Sequence, residues 1–250
     1  MPALMEALVT ILREQYGIEP LELSPLEGYE DRTYLVRSAD NQFILKVQRT
    51  SENQKTHLEL ENRLTRALSI AEPFDYPVPI PAKGRQSYLE KEGKLIRLLP
   101  YLQGDFLGEV PQDVSLLESF GDFLGRLNKI SKTFLPGSLS GRISPWDLQY
   151  LDQHRKNIPL VTDPQDRALI SYFMLHFETE VLPRKFELRK ALIHNDANDW
   201  NVLTQKGKVS GIIDFGDMCY SWLIGELAVA LPYVLAGRED PLAAASTVLK

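Results

Sequence analysis

The chain has 250 residues, 44% hydrophobic and 25% charged, with a formal net charge of −6. That is ordinary globular composition, enough for one large domain or two small ones with a real core. The acidic balance argues against nucleic acid as the main partner, and the single cysteine, Cys219, cannot close an internal disulfide, which points to a reducing, cytoplasmic setting.

In chain order, Leu4, Leu8, Ile11 and Leu12 fall at helical spacing, and with Glu6 in its first turns and no basic leader this segment reads as a short amphipathic helix, not a signal peptide. Strand patterns follow in LELSPL, RTYLVRS, QFILKVQ, QSYLE and KLIRLL, with turns expected at Ala39-Asp40-Asn41 and Lys91-Glu92-Gly93. One helix, from about Glu52 to Ile70, interrupts them. After Pro100 helical spacing dominates, in VSLLESFGDFLGRLNKI, QDRALISYFMLHFETEVL and the region from Gly225 to Ala236. Between the last two lie ALIH, a polar loop, NVLT, a turn at Gln205-Lys206-Gly207, and VSGIIDF. LIGELAVALPYVLAG is too short to span a bilayer and carries Glu226 and Pro232, so it predicts a buried helix and no membrane partner. The pattern is a sheet-rich lobe, a connector from Leu99 to Gly104, and a larger helical lobe that carries a polar hairpin.

The polar loop reads His194-Asn195-Asp196-Ala197-Asn198-Asp199-Trp200-Asn201, and the strand after it ends in Asp214-Phe215-Gly216-Asp217. Phosphoryl transfer needs a carboxylate to accept the proton of the attacking hydroxyl, and oxygen ligands to hold Mg²⁺ against the phosphates. Asp196 offers the first; the amide oxygen of Asn201 and the carboxylate of Asp214 offer the second. An H-x-D-x-x-x-x-N segment ahead of an apolar strand ending in Asp-Phe-Gly matches the kinase signature order. Asp and Asn also cap backbone groups in turns. Asp214 directly follows three apolar residues, where burial of an unpartnered carboxylate is costly, so a metal partner is expected. His194 is expected to brace the loop by hydrogen bonds.

Upstream, Lys46 interrupts the apolar strand FILKVQ and calls for anionic partners: phosphate oxygens and a helix glutamate. Of the two candidates, Glu61 borders the apolar stripe of Leu60, Leu64, Ala67 and Leu68, whereas Glu59 points away with Arg63 and Arg66, so Glu61 is the expected partner of Lys46. The loop from Glu27 to Thr33 holds one glycine, Gly28, whose neighbouring amides are candidates for phosphate contact.

On FILKV, RLLPYLQG, IHNDANDWNVL and VSGIIDFGDM, in that order, the sequence resembles the aminoglycoside phosphotransferase and choline kinase family, from about Leu21 to Gly237. NDANDWNVL and VSGIIDFGDM look most like its hydroxylysine kinase branch. The resemblance implies an α+β, protein-kinase-like fold: a small N-terminal antiparallel sheet lobe with one helix (1–99, nucleotide-binding) and a larger mainly helical lobe (100–250, catalytic and substrate-binding). It implies Asp196 as catalytic base, Asn201 and Asp214 as Mg²⁺ ligands, Lys46 and Glu61 as the phosphate-side pair, and the connector Leu98 to Leu102, with Leu99 and Tyr101, as the segment whose backbone meets the base of ATP or GTP. The acceptor it implies is a small hydroxylated amine, for whose ammonium Asp199 and Asp217 are candidate carboxylates. Two other readings of the same residues are a metal-dependent phosphoesterase and a non-catalytic nucleotide-binding module. The chain departs from the family in having Asn195 where glycine often follows the motif histidine, and in ending at Lys250. The last segment, from Pro241, leaves Leu242, Val248 and Leu249 in need of cover, so an incomplete helical lobe with an exposed apolar patch near residues 225–250 is expected, and a homodimer is one way to cover it.

Overall fold

The computed structural model describes residues 2–26, 32–137, 139 and 143–250, and divides into two compact units, Met1–Gln103 and Gly104–Lys250. Gly28 lies outside the described residues.

The first unit opens with helix α1 (Pro2–Ile11), which passes into a wider turn, Leu12–Tyr16, and stops at Gly17 in the left-handed region, φ 68°. Five antiparallel strands follow: β1 (Glu22–Leu26), β2 (Arg32–Arg37), β3 (Gln42–Arg49), β4 (Leu89–Lys91) and β5 (Lys94–Pro100), ordered β1-β2-β3-β5-β4. The β4–β5 turn places Glu92 and Gly93 at φ 49° and 69°, the two positive values that a tight hairpin matched to the strand twist requires. Helix α2 (Glu52–Ala71) interrupts the strands; the Ser51 side chain accepts from the Gln54 N–H and caps its first turn.

Side chains alternate across a strand, so the central pair β3 and β5 has two distinct faces. One carries Leu45, Val47, Ile96 and Leu98, packed with Val36, Tyr34 and the Leu8, Ile11 and Leu12 stripe of the first helix into a core. Each such side chain contributes about 1.5–3 kcal/mol on burial. The opposite face carries Lys46, Gln48 and Arg97, all buried as well. The run Leu45 to Gln48 is therefore buried on both faces, which is why its strand pattern holds polar residues without facing water.

In the second unit, α3 (Val114–Ser131) is capped by Asp113 and buries Leu116, Leu117, Phe120, Phe123, Leu124 and Leu127, a three-and-four spacing. Helix α4 (Pro164–His176) begins after the Asp163 cap. Two short ribbons carry the polar loops: β6 (Asp105–Phe106) with β8 (Val202–Gln205) and β9 (Lys208–Ile212), and β7 (Lys190–Ile193) with β10 (Cys219–Trp222). Helices α5 (Ile224–Leu235) and α6 (Pro241–Val248) finish the chain, and α6 packs on α3. Val248 and Ala244 are buried there, while Leu242 and Leu249 are exposed. Among the described residues no helix is long and apolar enough to cross a membrane.

Candidate active site

The loop between β7 and β8 is held at its base by His194. Its ring accepts the Asp196 N–H at Nδ1, 3.2 Å, and its Nε2 donates to the Ile213 carbonyl at 3.0 Å, so one neutral tautomer satisfies both contacts. The ring also meets Phe215 edge-on, with centroids 4.5 Å apart. One imidazole thus ties the residue after next in the loop to the residue just before Asp214.

The Asp196 carboxylate is gripped by two amides. Asn198 Nδ2 donates to Oδ1 at 2.8 Å and Asn201 Nδ2 donates to Oδ2 at 2.7 Å. Asn201 Nδ2 also donates to the Asp196 carbonyl at 2.9 Å, which fixes the amide and leaves Oδ1 as its outward acceptor. Half-burial pushes the Asp196 carboxyl above its ordinary value; the two amides pull it back, and the nearby charge of Asp214 pushes it up again. The main chain joins Asn201 to the second strand: the Ile213 N–H donates to the Asn201 carbonyl at 2.9 Å, next to Asp214.

Asp214 departs from the sequence reading in one respect. It is exposed, not buried: β9 ends at Ile212, and the chain swings into the left-handed region at Asp214, φ 60°, where its carboxylate accepts from the Gly216 N–H at 3.2 Å. The burial argument for a metal partner therefore falls. What replaces it is the backbone, since a non-glycine residue in that region is costly to hold and such residues cluster at functional sites. Asn195 shares this feature, φ 65°, which explains a glycine substitute there: Asn tolerates the left-handed region better than other side chains. Its Nδ2 donates to the Trp146 carbonyl at 3.4 Å.

Beneath the loop sits Glu226, fully buried on α5. Its Oε2 accepts the His194 N–H at 2.6 Å. Burial pushes its carboxyl up to about 7, against the pull of the His194 and Asn195 amides and with an added push from Asp196. The sequence signal for such a residue is an isolated acid within an apolar helix.

The candidate substrate carboxylates are separate in kind. Asp199 packs against Gly108, whose N–H donates to the Asp199 carbonyl at 2.9 Å. Asp217 is half-buried in the turn Phe215–Asp217.

Lys46, Glu61, Leu99 and Tyr101 belong to the first unit. Lys46 stands directly opposite Thr33 on β2 and Arg97 on β5. Glu61 is buried and Glu59 exposed, and Arg97 Nη1 donates to the Glu61 carboxylate at Oε1, 2.6 Å. Arg97 was overlooked because an arginine alternating with apolar residues reads as the solvent side of a strand. Leu99 is buried opposite Ile44, and the Tyr101 N–H donates to the Gln42 carbonyl at 3.4 Å.

Among the described residues no three His, Cys, Asp or Glu side chains converge on a metal position. A Mg²⁺ ion bound with substrate phosphates needs only one or two protein oxygens beside phosphate and water, so the oxygen pair of Asn201 and Asp214 fits it.

A family model described as a phosphotransferase enzyme family matches residues 22–248. Hydroxylysine kinase of Xenopus laevis is 28% identical over 99% of this chain and 74% of its own length. Among solved structures, an amicoumacin kinase in complex with AMP-PNP, Ca²⁺ and Ami has a TM-score of 0.72 at 17% identity, covering 98% of this chain and 74% of that one. A microcompartment-associated aminopropanol kinase has a TM-score of 0.72 at 19% identity, covering 98% and 80%. These likenesses identify the fold as α+β and protein-kinase-like, with an antiparallel sheet in the N-terminal unit and a mainly helical C-terminal one.

Proposed function

Because the chain belongs to the phosphotransferase enzyme family, we propose that it moves the γ-phosphate of a nucleoside triphosphate to a hydroxyl of a small amine-bearing acceptor, hydroxylysine-like compounds foremost. The observation that carries this reading is the Asp196–Asn201 bond of 2.7 Å, which fixes a carboxylate beside an amide oxygen able to face a cation. Asp196 accepts the acceptor's hydroxyl proton as that oxygen bonds to the γ-phosphorus and the bond to the β-phosphate oxygen breaks, leaving nucleoside diphosphate. Burial raises the Asp196 carboxyl, and the Asn198 and Asn201 amides, by donating to its carboxylate, favour the ionised form that receives the proton. Asn201 Oδ1 and Asp214 would hold Mg²⁺, which when bound neutralises charge on the transferring phosphate.

In this reading the first unit handles the nucleotide: Lys46 pairs with phosphate oxygens, and backbone from Leu99 to Tyr101 meets the base. Asp199 and Asp217 supply carboxylates for the acceptor's ammonium. The single buried cysteine, Cys219, suits a cytoplasmic enzyme.

The test is a nucleoside-diphosphate release assay with ATP and GTP, run with hydroxylysine, amino alcohols, aminoglycosides and neutral sugars, with phosphorus NMR of the product. Acceptor-dependent release and a phosphate ester on an amine-bearing acceptor are expected. Release indifferent to acceptor would establish a phosphoesterase; nucleotide binding without turnover on any acceptor would establish a binding module. Preference for neutral sugars would remove the ammonium role of the two aspartates.

A further inference from the structure

The face of the first sheet opposite α1 is unusually polar for a buried surface. Lys46 and Arg97 stand opposite one another across β3 and β5, so their side chains leave the same face. Opposed residues on one face have Cβ atoms about 4.5–5.5 Å apart, and like charges there repel. Both side chains are buried, Arg97 to 2% exposure. Glu61, likewise 2% exposed, comes from α2 and binds Arg97 through one oxygen only. Hydrogen bonding is incomplete on both sides: Glu61 Oε2 and Arg97 Nε are buried without a hydrogen-bond partner. Arg–carboxylate pairs are frequently closed by two parallel hydrogen bonds, the stronger geometry. Here the second carboxylate oxygen makes no hydrogen bond, and the arginine that holds the first shares its sheet face with Lys46.

We propose that Arg97 is a positioning residue: it seats Glu61 by Oε1 so that Oε2 is presented to the Lys46 ammonium while that lysine holds the donor phosphates. This rests on the kinase reading above. Arg97 touches neither nucleotide nor acceptor, and acts through Glu61 and Lys46. Lysine at position 97 would keep the charge and lose the planar fork that directs the carboxylate.

The experiment is a double-mutant cycle on the full chain, with kcat and KM for Mg·ATP measured using an acceptor that wild type phosphorylates. R97K is expected to lower kcat/KM roughly tenfold, mainly through KM for ATP, yet to change it less than about threefold in a K46A background, since coupled residues are not additive. Equal effects in both backgrounds, or an unchanged KM in R97K, would overturn the proposal. If R97K fails to fold, the paired R97M/E61L variant serves, because removing both partners of a buried pair is tolerated far better than removing one. It is expected to fold and to show a KM for ATP raised as in K46A; a wild-type KM would overturn the proposal. Wild type with no acceptor turnover would instead sink the kinase reading, a separate and distinguishable result.

Discussion

The backbone N–H of His194 donates to the buried carboxylate of Glu226 at 2.6 Å, so the loop that carries Asp196 rests on an acid with no exposure to water. That carboxyl is pushed from its ordinary 4.5 up to about 7 by burial. Below about pH 4.5 folded and unfolded chains both hold the proton. Between 4.5 and 7 the unfolded chain releases a proton that the folded chain keeps, so the stability owed to this residue falls as pH rises and levels off above 7. The fall is on the order of 3 kcal/mol. Urea unfolding of wild type and E226Q at pH 5 and pH 8 should therefore show the variant gaining on wild type at the higher pH. Parallel pH dependences would show that Glu226 folds with an ordinary carboxyl.

Asp196→Asn should leave nucleotide binding near wild type while lowering turnover by ~10²–10⁴-fold, the usual contribution of a general base. Calorimetric titration with ATP and a steady-state assay separate the two. Near-normal turnover in a pure variant would remove Asp196 from that role.

Asn201→Ala and Asp214→Ala should each raise the Mg²⁺ concentration needed for half-maximal activity by about tenfold or more. Asn201→Ala also strips one amide from the Asp196 carboxylate, so its loss of kcat should exceed that of Asp214→Ala at saturating Mg²⁺. An unchanged metal requirement in both variants would count against oxygen ligation by this pair.

Two glycines of α3 make a matched pair. A Cβ on Gly121 would lie 2.1 Å from the Val248 carbonyl oxygen of α6, whereas a Cβ on Gly125 meets nothing within 4 Å. Gly121→Ala should therefore cost about 1–3 kcal/mol by forcing the helices apart, and Gly125→Ala should add about 0.5–1 kcal/mol by favouring the helix. Thermal melting of both reads the contrast. Equal shifts would mean that α6 is not seated on α3 in solution.

The secondary structure was legible wherever one physical cause dominated. Lys91-Glu92-Gly93 and Gln205-Lys206-Gly207 are turns because Gly and its neighbour accept positive φ, and the structure has both residues there in each case. The stripe of α2 separated buried Glu61 from exposed Glu59. Tertiary cover was not legible. Nothing in KLIRLL says that a helix will lie over Arg97, and nothing in GIID says that the chain will turn left-handed before the carboxylate is enclosed. The strand β10 escaped notice because CYSW is four residues long and owes its pairing to β7. The candidate site was legible as a set of residue types; Asn198 as a second grip on Asp196, and Glu226 as the foundation of the loop, required the folded chain.

The tight turn between β4 and β5 addresses charge as well as direction. Arg97 lies four residues beyond Gly93, and strands repeat every two residues, so one residue added to or removed from that turn would exchange the faces of everything after it. Ile96 and Leu98 would then be driven toward Glu61, and Arg97 into the apolar core beneath α1. The left-handed pair Glu92 and Gly93, remote in sequence from Lys46 and from both candidate metal ligands, thus acts as the punctuation that decides which side of the sheet is electrically active.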